Sequence, residues 1–189
     1  MKKVIFITSN LHKVSEARKI FEENNIEMEH RNVKYYEIQG SLEEVASHAA
    51  KKLAEKLNHP VIVEDAGLFI KALNGFPGPY SSYVQKTIGN KGILKLMENI
   101  EDRQAEFKSV VGYCEPGSKP KIFVGVVKGN ISTEEIGDKG FAFDPIFYPE
   151  GYKKTFGELD PEEKNRISHR GKSFRKFVSW FKKQQKVIK

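Results

Sequence analysis

Val61-Ile62-Val63-Glu64-Asp65-Ala66-Gly67-Leu68 is the stretch from which the fold follows. Three successive β-branched residues read as a strand covered on both faces. The glycine beyond them predicts a turn, so the strand is expected to hand two carboxylates to its own end. A carboxylate left unpaired in such a place is expensive, which points to a metal or to a proton that moves. In extended backbone Glu64 and Asp65 face opposite ways, so only one of them enters a given cleft unless the chain turns between them. Gly75-Phe76-Pro77-Gly78-Pro79-Tyr80 comes next. Its glycines and prolines make it turn sharply with few backbone freedoms, as the wall of an active site does, and Leu68, Phe69 and Leu73 are expected to pack beneath it.

Upstream, residues 3–8 carry apolar side chains on successive positions, which predicts a central strand buried on both sides. Thr8-Ser9-Asn10 then yields to a helical pattern with Val14, Ala17, Ile20 and Phe21 at three- and four-residue spacing, capped by Ser9 or Asn10. At that junction helix N-terminal amides, a hydroxyl, a side-chain amide and Lys13 could surround a phosphate. Neither a Walker loop nor a dinucleotide fingerprint is present, and taken alone Asn10 and Lys13 read as a cap and a surface lysine. Residues 26–34 have patchy strand character. Glu37 follows where a strand gives out before Gly40, a place for a functional carboxylate and equally for a solvent-facing one. Ser41 and Glu44 have capping-box spacing ahead of an apolar stripe of Leu42, Val45, Ala46, Ala49, Leu53 and Leu57. Lys51, Lys52 and Lys56 belong to its wet face, with Lys51 or Lys52 able to reach a cleft.

Downstream, residues 82–97 are helical in pattern but interrupted by Gly89 and Gly92, which predicts two short helices. Residues 105–114 and 121–128 read as the two arms of a hairpin, and residues 130–136 as a further strand. A βα-like first part and an antiparallel middle favour a mixed-sheet α/β fold over a purely parallel one. Gly140-Phe141-Ala142-Phe143-Asp144-Pro145 combines aromatic density with turn residues, so Phe143 reads equally as core packing and as a platform for a flat ligand. Asp160-Pro161-Glu162-Glu163 starts a helix by an aspartate cap, proline at the first position and glutamate at the capping-box position. Lys164 and Arg170 offer one flexible and one fork-shaped cation, suited to phosphate or a base carbonyl, although each alone reads as a surface charge. The last helix is expected over residues 172–185 on a stripe of Phe174, Phe177, Val178 and Phe181.

The chain has 189 residues and a formal net charge of +7, so one domain is expected over residues 1–189, with two lobes around a cleft. The positive field favours anionic partners, nucleic acid and nucleotides alike. No stretch reaches the roughly 18 apolar residues of a membrane span, and the apolar run at residues 4–7 is too short for a signal peptide, which predicts a soluble, cytoplasmic protein without a membrane partner. The single cysteine, Cys114, excludes an intrachain disulfide, and its apolar setting predicts a buried structural thiol.

Taken together in this order, Thr8-Ser9-Asn10 with Lys13 and Glu16, Glu37-Ile38-Gln39-Gly40, Glu64-Asp65-Ala66-Gly67-Leu68, Gly75 to Tyr80, Phe141-Ala142-Phe143-Asp144-Pro145, Glu163-Lys164-Asn165 and Ser168-His169-Arg170 resemble the inosine triphosphate pyrophosphatase family. These are house-cleaning hydrolases of non-standard purine nucleoside triphosphates. The resemblance covers nearly the whole chain. It implies a strongly twisted mixed sheet with flanking helices, two lobes around a central nucleotide cleft, and a homodimer with no stable nucleic-acid partner. It implies hydrolysis of ITP, dITP and XTP between the α and β phosphates, with Mg2+ as cofactor. Residue by residue, it assigns Glu37 and Asp65 to the metal, Asp65 to proton abstraction or water orientation, and Thr8, Ser9, Asn10, Lys13 and Ala66 to the sugar-phosphate end. It assigns Phe141, Ala142, Phe143, Asp144, Lys164, His169 and Arg170 to the base end. Glu64 is a neighbour of Asp65 whose role the resemblance leaves open. Ala66 and Ala142 depart from the usual hydroxyl-bearing residue and glycine of the family. The alternatives are a basic nucleic-acid-binding module without hydrolytic activity and a pyrophosphatase for modified pyrimidine nucleotides.

Overall fold

The computed structural model describes residues 3–187. Its elements in chain order are β1 (Val4–Ile7), α1 (Leu11–Glu23), β2 (Met28–Arg31), α2 (Leu42–Leu57), β3 (Val61–Ile70), α3 (Ser81–Thr87), α4 (Gly89–Leu96), β4 (Gln104–Cys114), β5 (Lys121–Ile131), β6 (Phe147–Pro149), α5 (Pro161–Ile167) and α6 (His169–Val187). The strands form one sheet in the order β2-β1-β3-β4-β5-β6. β1 runs parallel to β2, with Val4 opposite Met28, and parallel to β3, with Ile5 opposite Val61. β5 and β6 are antiparallel, with Ile131 opposite Phe147. The fold is therefore the mixed α/β class that the sequence indicates, and β1 has a partner on each side and four buried residues.

Local signals place most helices where the pattern puts them. Asn10 caps α1, its side-chain oxygen accepting from His12 N and Lys13 N. Ser41 and Glu44 close a full capping box on α2, two orphan amides satisfied reciprocally. Residues 82–97 do split in two, and Gly89, at φ +61°, is where the chain breaks between α3 and α4. Cys114 is buried as a thiol.

Four expectations are corrected. β3 does not end at the carboxylates but continues through Gly67 to Ile70. Gly67 makes no turn: a Cβ there would lie 2.3 Å from the carbonyl oxygen of Gly78, so glycine serves close approach of the Gly75–Tyr80 loop to the strand. No strand forms over residues 132–136, because β5 stops at Ile131 and the sheet is continued by β6. The capping box at the start of α5 is not made. Asp160 is its N-cap by backbone geometry without a side-chain cap bond, and its carboxylate pairs instead with Lys139 at 2.6 Å. Finally, α6 begins at His169, three residues before the expected start, which draws His169 and Arg170 into regular structure.

The chain forms two compact units, each with its own core. In the first (Met1–Asp65, Ser109–Gly125, Arg170–Lys189), the apolar stripe of α1 meets Val4 and Phe6 of β1, Val111 and Tyr113 of β4, and Phe174, Phe177, Val178 and Phe181 of α6. Phe174 stands edge-on to Phe6 at 5.4 Å and to Phe21 at 5.9 Å, the arrangement aromatic quadrupoles favour. In the second (Ala66–Lys108, Val126–His169), Leu68, Ile70, Ile93, Met97, Phe107, Phe143, Phe147 and Phe156 are the centre. Phe143, for which core and platform were equal readings, is a core residue, 1% exposed.

Ala142 occupies the left-handed region at φ 55°, a conformation that glycine adopts without steric cost and alanine does not. Ala142→Gly is therefore expected to raise stability by about 1 kcal/mol, seen as a small upward shift of the melting temperature. A fall would mean that the packing of the methyl group outweighs the backbone strain.

Candidate active site

The first unit gathers charge at the carboxyl ends of β1 and around the middle of β3. The segment that leaves β1 is tied down by backbone and side chain together. Thr8 N–H donates to Arg31 O at 3.2 Å, Asn10 N–H donates to Thr8 Oγ1 at 3.1 Å, and His30 Nε2 lies 2.9 Å from Thr8 O. Ser9 at the tip is exposed. α1 then starts under Asn10 and carries Lys13 on its first turn, from which the ammonium reaches across to β3. It donates to the main-chain oxygen of Glu64 at 2.9 Å and forms an ion pair with Glu64 Oε2 at 2.8 Å.

Glu64 itself is 6% exposed. Its Oε1 accepts from Arg170 Nε at 3.1 Å and from the Ser109 hydroxyl at 2.6 Å. The Ser109 hydroxyl lies 2.8 Å from that of Ser173, and Arg170 Nη1 reaches Glu16 Oε2 at 2.7 Å. Burial alone would raise the Glu64 pKa, but the charge of Arg170, then that of Lys13, and the hydrogen bonds from Lys13 and Ser109 hold it below the usual carboxylate value. Arg170, read from sequence as a surface charge, is 3% exposed, because a buried carboxylate on β3 and a second one on α1 require it.

Asp65, on the opposite face of the strand as alternation demands, is half-buried. The irregular segment after β2 brings Glu37 to the same region. The Tyr35 hydroxyl donates to Glu37 Oε1 at 3.3 Å. The Tyr35 phenol is pushed well above its ordinary pKa, first by burial and then by the charges of Glu37, Asp65 and Glu64. One phenol thus feels all three carboxylates, two of which are the residues expected to hold a metal. Lys51 and Lys52 are both exposed on α2.

In the second unit the turn at Gly140 to Pro145 is held by Asp144, 2% exposed. Its Oδ2 accepts the Phe141 amide at 2.7 Å and the Lys164 ammonium at 2.7 Å. Lys164, the other predicted surface charge, is 3% exposed and lies 4.8 Å from the centre of the half-buried Phe141 ring. That contact adds a cation–π attraction to the ion pair. His169 stacks flat on Phe107, centroids 4.6 Å apart and planes 8° apart. Phe156, 5.9 Å from the Lys164 ammonium and 6.4 Å from the His169 ring, links these two to one patch with the Phe141–Asp144 turn, in which Phe141 rather than Phe143 presents ring surface. Ala66, at the chain position after Asp65, is half-buried on β3.

Sequence reasoning passed over Tyr35, Ser109, Ser173 and Phe107. A signal was available for the two serines, since each interrupts an apolar pattern: Ser109 beside Val110 on β4 and Ser173 beside Phe174 on α6, both fully buried. Buried hydroxyls at core positions find partners.

The Ham1 family pattern matches residues 4–180 of the chain. The chain is 61% identical to a dITP/XTP pyrophosphatase of Methanothermobacter marburgensis, over 98% of this chain and 100% of that protein. It is 56% identical to a dITP/XTP pyrophosphatase of Methanopyrus kandleri, over 95% and 96% of the two chains. Among solved structures, a HAM1 protein from Coxiella burnetii superposes with a TM-score of 0.87 at 30% identity, covering 97% of this chain and 100% of that one. The Staphylococcus aureus Ham1 protein gives a TM-score of 0.84 at 29% identity over 97% and 100%. With a match that spans nearly its whole length, and with the carboxylates and cations of its motifs gathered as described, this chain belongs to the Ham1 family.

Proposed function

We propose that the protein is a nucleoside-triphosphate pyrophosphatase that hydrolyses ITP, dITP and XTP at the α–β phosphate bond. The products are a nucleoside monophosphate and pyrophosphate, and the reaction keeps these purines out of DNA and RNA. The observation that carries this reading is the full-length likeness to dITP/XTP pyrophosphatases, and the two connected groups of side chains supply its chemistry.

We assign the polyphosphate to the group of the first unit. Thr8, Ser9 and Asn10 offer hydroxyl and amide donors, and Lys13 brings an ammonium already fixed on Glu64. Such preset donors stabilise charge without reorganising at the moment of reaction. Asp65 orients the attacking water or takes its proton, while Tyr35 and Glu37 shape the surroundings of its carboxylate. Mg2+ commonly takes one or two carboxylates together with waters and phosphate oxygens. Glu37, which accepts from the Tyr35 hydroxyl at 3.3 Å, and the half-buried Asp65 are carboxylates of that kind. Among the described residues no group of three or more His, Cys, Asp or Glu side chains forms a ready cage, and an ion shared with substrate phosphates does not need one. When bound, magnesium would neutralise charge on the polyphosphate.

We assign the purine to the group of the second unit, with Phe141 as stacking surface, Ala66 towards the sugar, and Lys164, His169 and the Asp144 turn at the base edge. An ammonium donates to a 6-keto oxygen and finds no acceptor in a 6-amino group, which favours hypoxanthine and xanthine over adenine. The same reading makes the protein a homodimer, which light scattering checks.

Incubated with magnesium, the purified protein is expected to release pyrophosphate from dITP and XTP far faster than from ATP. Release of orthophosphate would contradict cleavage at the α–β bond, and equal rates for ATP would remove the role given to Lys164.

A further inference from the structure

Glu64 stands next to Asp65 in the chain, yet it faces the other way and has no part in the reaction as described. Its carboxylate is fully enclosed, and Lys13 is held by it twice over, through Oε2 at 2.8 Å and through the main-chain oxygen at 2.9 Å. A lysine ammonium is ordinarily a mobile point charge on a flexible stem. Here both anchors belong to one residue of a sheet strand, and that strand continues directly into Asp65. The carboxylate is in turn locked from the far side. Ser109 donates to Oε1 at 2.6 Å, and its oxygen lies 2.8 Å from that of Ser173, whose hydroxyl also reaches the Arg170 carbonyl at 3.0 Å. A core position filled by a charge and two hydroxyls brings no stability that apolar side chains of similar volume would not match. What the charged set provides is geometry.

We infer that Glu64 is a positioning residue for the proposed hydrolysis: it touches no substrate atom, and it sets the Lys13 ammonium at a fixed place relative to Asp65 before the polyphosphate arrives. The inference rests on the reading of Lys13 as a phosphate contact. Replacing the carboxylate by an amide keeps the volume and removes the charge that fixes Lys13. The loss should then be felt through Lys13 and should vanish once Lys13 is gone. A merely structural role has no such dependence.

The test is a double-mutant cycle on Glu64→Gln and Lys13→Ala, read by kcat and KM for dITP and by calorimetric binding of inorganic pyrophosphate in magnesium. Glu64→Gln is expected to lower kcat/KM and pyrophosphate affinity about tenfold in the wild-type background and at most about twofold in Lys13→Ala, a coupling in the range found for side chains in contact. Glu64→Asp, which keeps the charge, should recover part of the loss. Equal factors in both backgrounds would overturn the inference. Should Glu64→Gln fail to fold, Ser109→Ala loosens the carboxylate without removing a charge. A few-fold loss of pyrophosphate affinity that disappears in Lys13→Ala supports the inference, and an unchanged affinity overturns it. A wild type that binds pyrophosphate but does not cleave dITP removes the proposed function alone, whereas cleavage of dITP with additive losses removes this inference alone.

Discussion

Asp65→Asn is expected to lower turnover of dITP by about 10²–10⁴-fold, the range for losing a positioned acid–base group, while the protein still folds and binds nucleotide. The substitution keeps the shape of a half-buried side chain on β3 but removes the charge that draws a proton or orients a water. The fold should tolerate it, because Asp65 lies half-buried on the less enclosed face of the strand, whereas Glu64 is 6% exposed. Steady-state kinetics together with nucleotide binding by calorimetry separates the two effects. Turnover within a few-fold of wild type would remove Asp65 from the mechanism, and loss of binding alongside turnover would make it a substrate ligand first.

Asp144→Ala is expected to cost about 3–5 kcal/mol of stability, the scale on which one partner of a buried ion pair is missed. Lys164, 3% exposed, loses the carboxylate 2.7 Å from its ammonium, and the Phe141 amide loses an acceptor at 2.7 Å at the same stroke. Chemical denaturation measures the loss. Replacing both partners, as Asp144→Ala with Lys164→Met, should recover a large part of it, because no uncompensated charge then remains in the core. A single substitution costing under about 1 kcal/mol would place the pair with solvated surface bridges instead.

The motifs showed which residues matter sooner than they showed what those residues do. The two cations read as surface charges are each 3% exposed, and Phe143, as much platform as core on sequence grounds, is core. The glycine in Glu64-Asp65-Ala66-Gly67-Leu68 signals a turn if only neighbours along the chain are considered. The carbonyl of Gly78, eleven positions away, turns out to be its reason. A strand over residues 132–136 looked reasonable by composition, but the sheet edge was taken by β6 instead.

By itself the sequence determined what nearest neighbours along the chain determine. β1 and β3 announce themselves by successive apolar residues, α1 and α2 by three- and four-residue spacing and their caps, the break before α4 by Gly89. Those signals depend on backbone geometry and on side chains within one turn of each other. The order and spacing of the motifs also determined the family. The tertiary structure alone decided where each charge resides, because that depends on which partners reach it. Glu64 meets Lys13 across 51 residues and Arg170 across 106, and Arg170 meets Glu16 across 154. A carboxylate is buried where two cations and a hydroxyl converge on it, and no local pattern records that convergence.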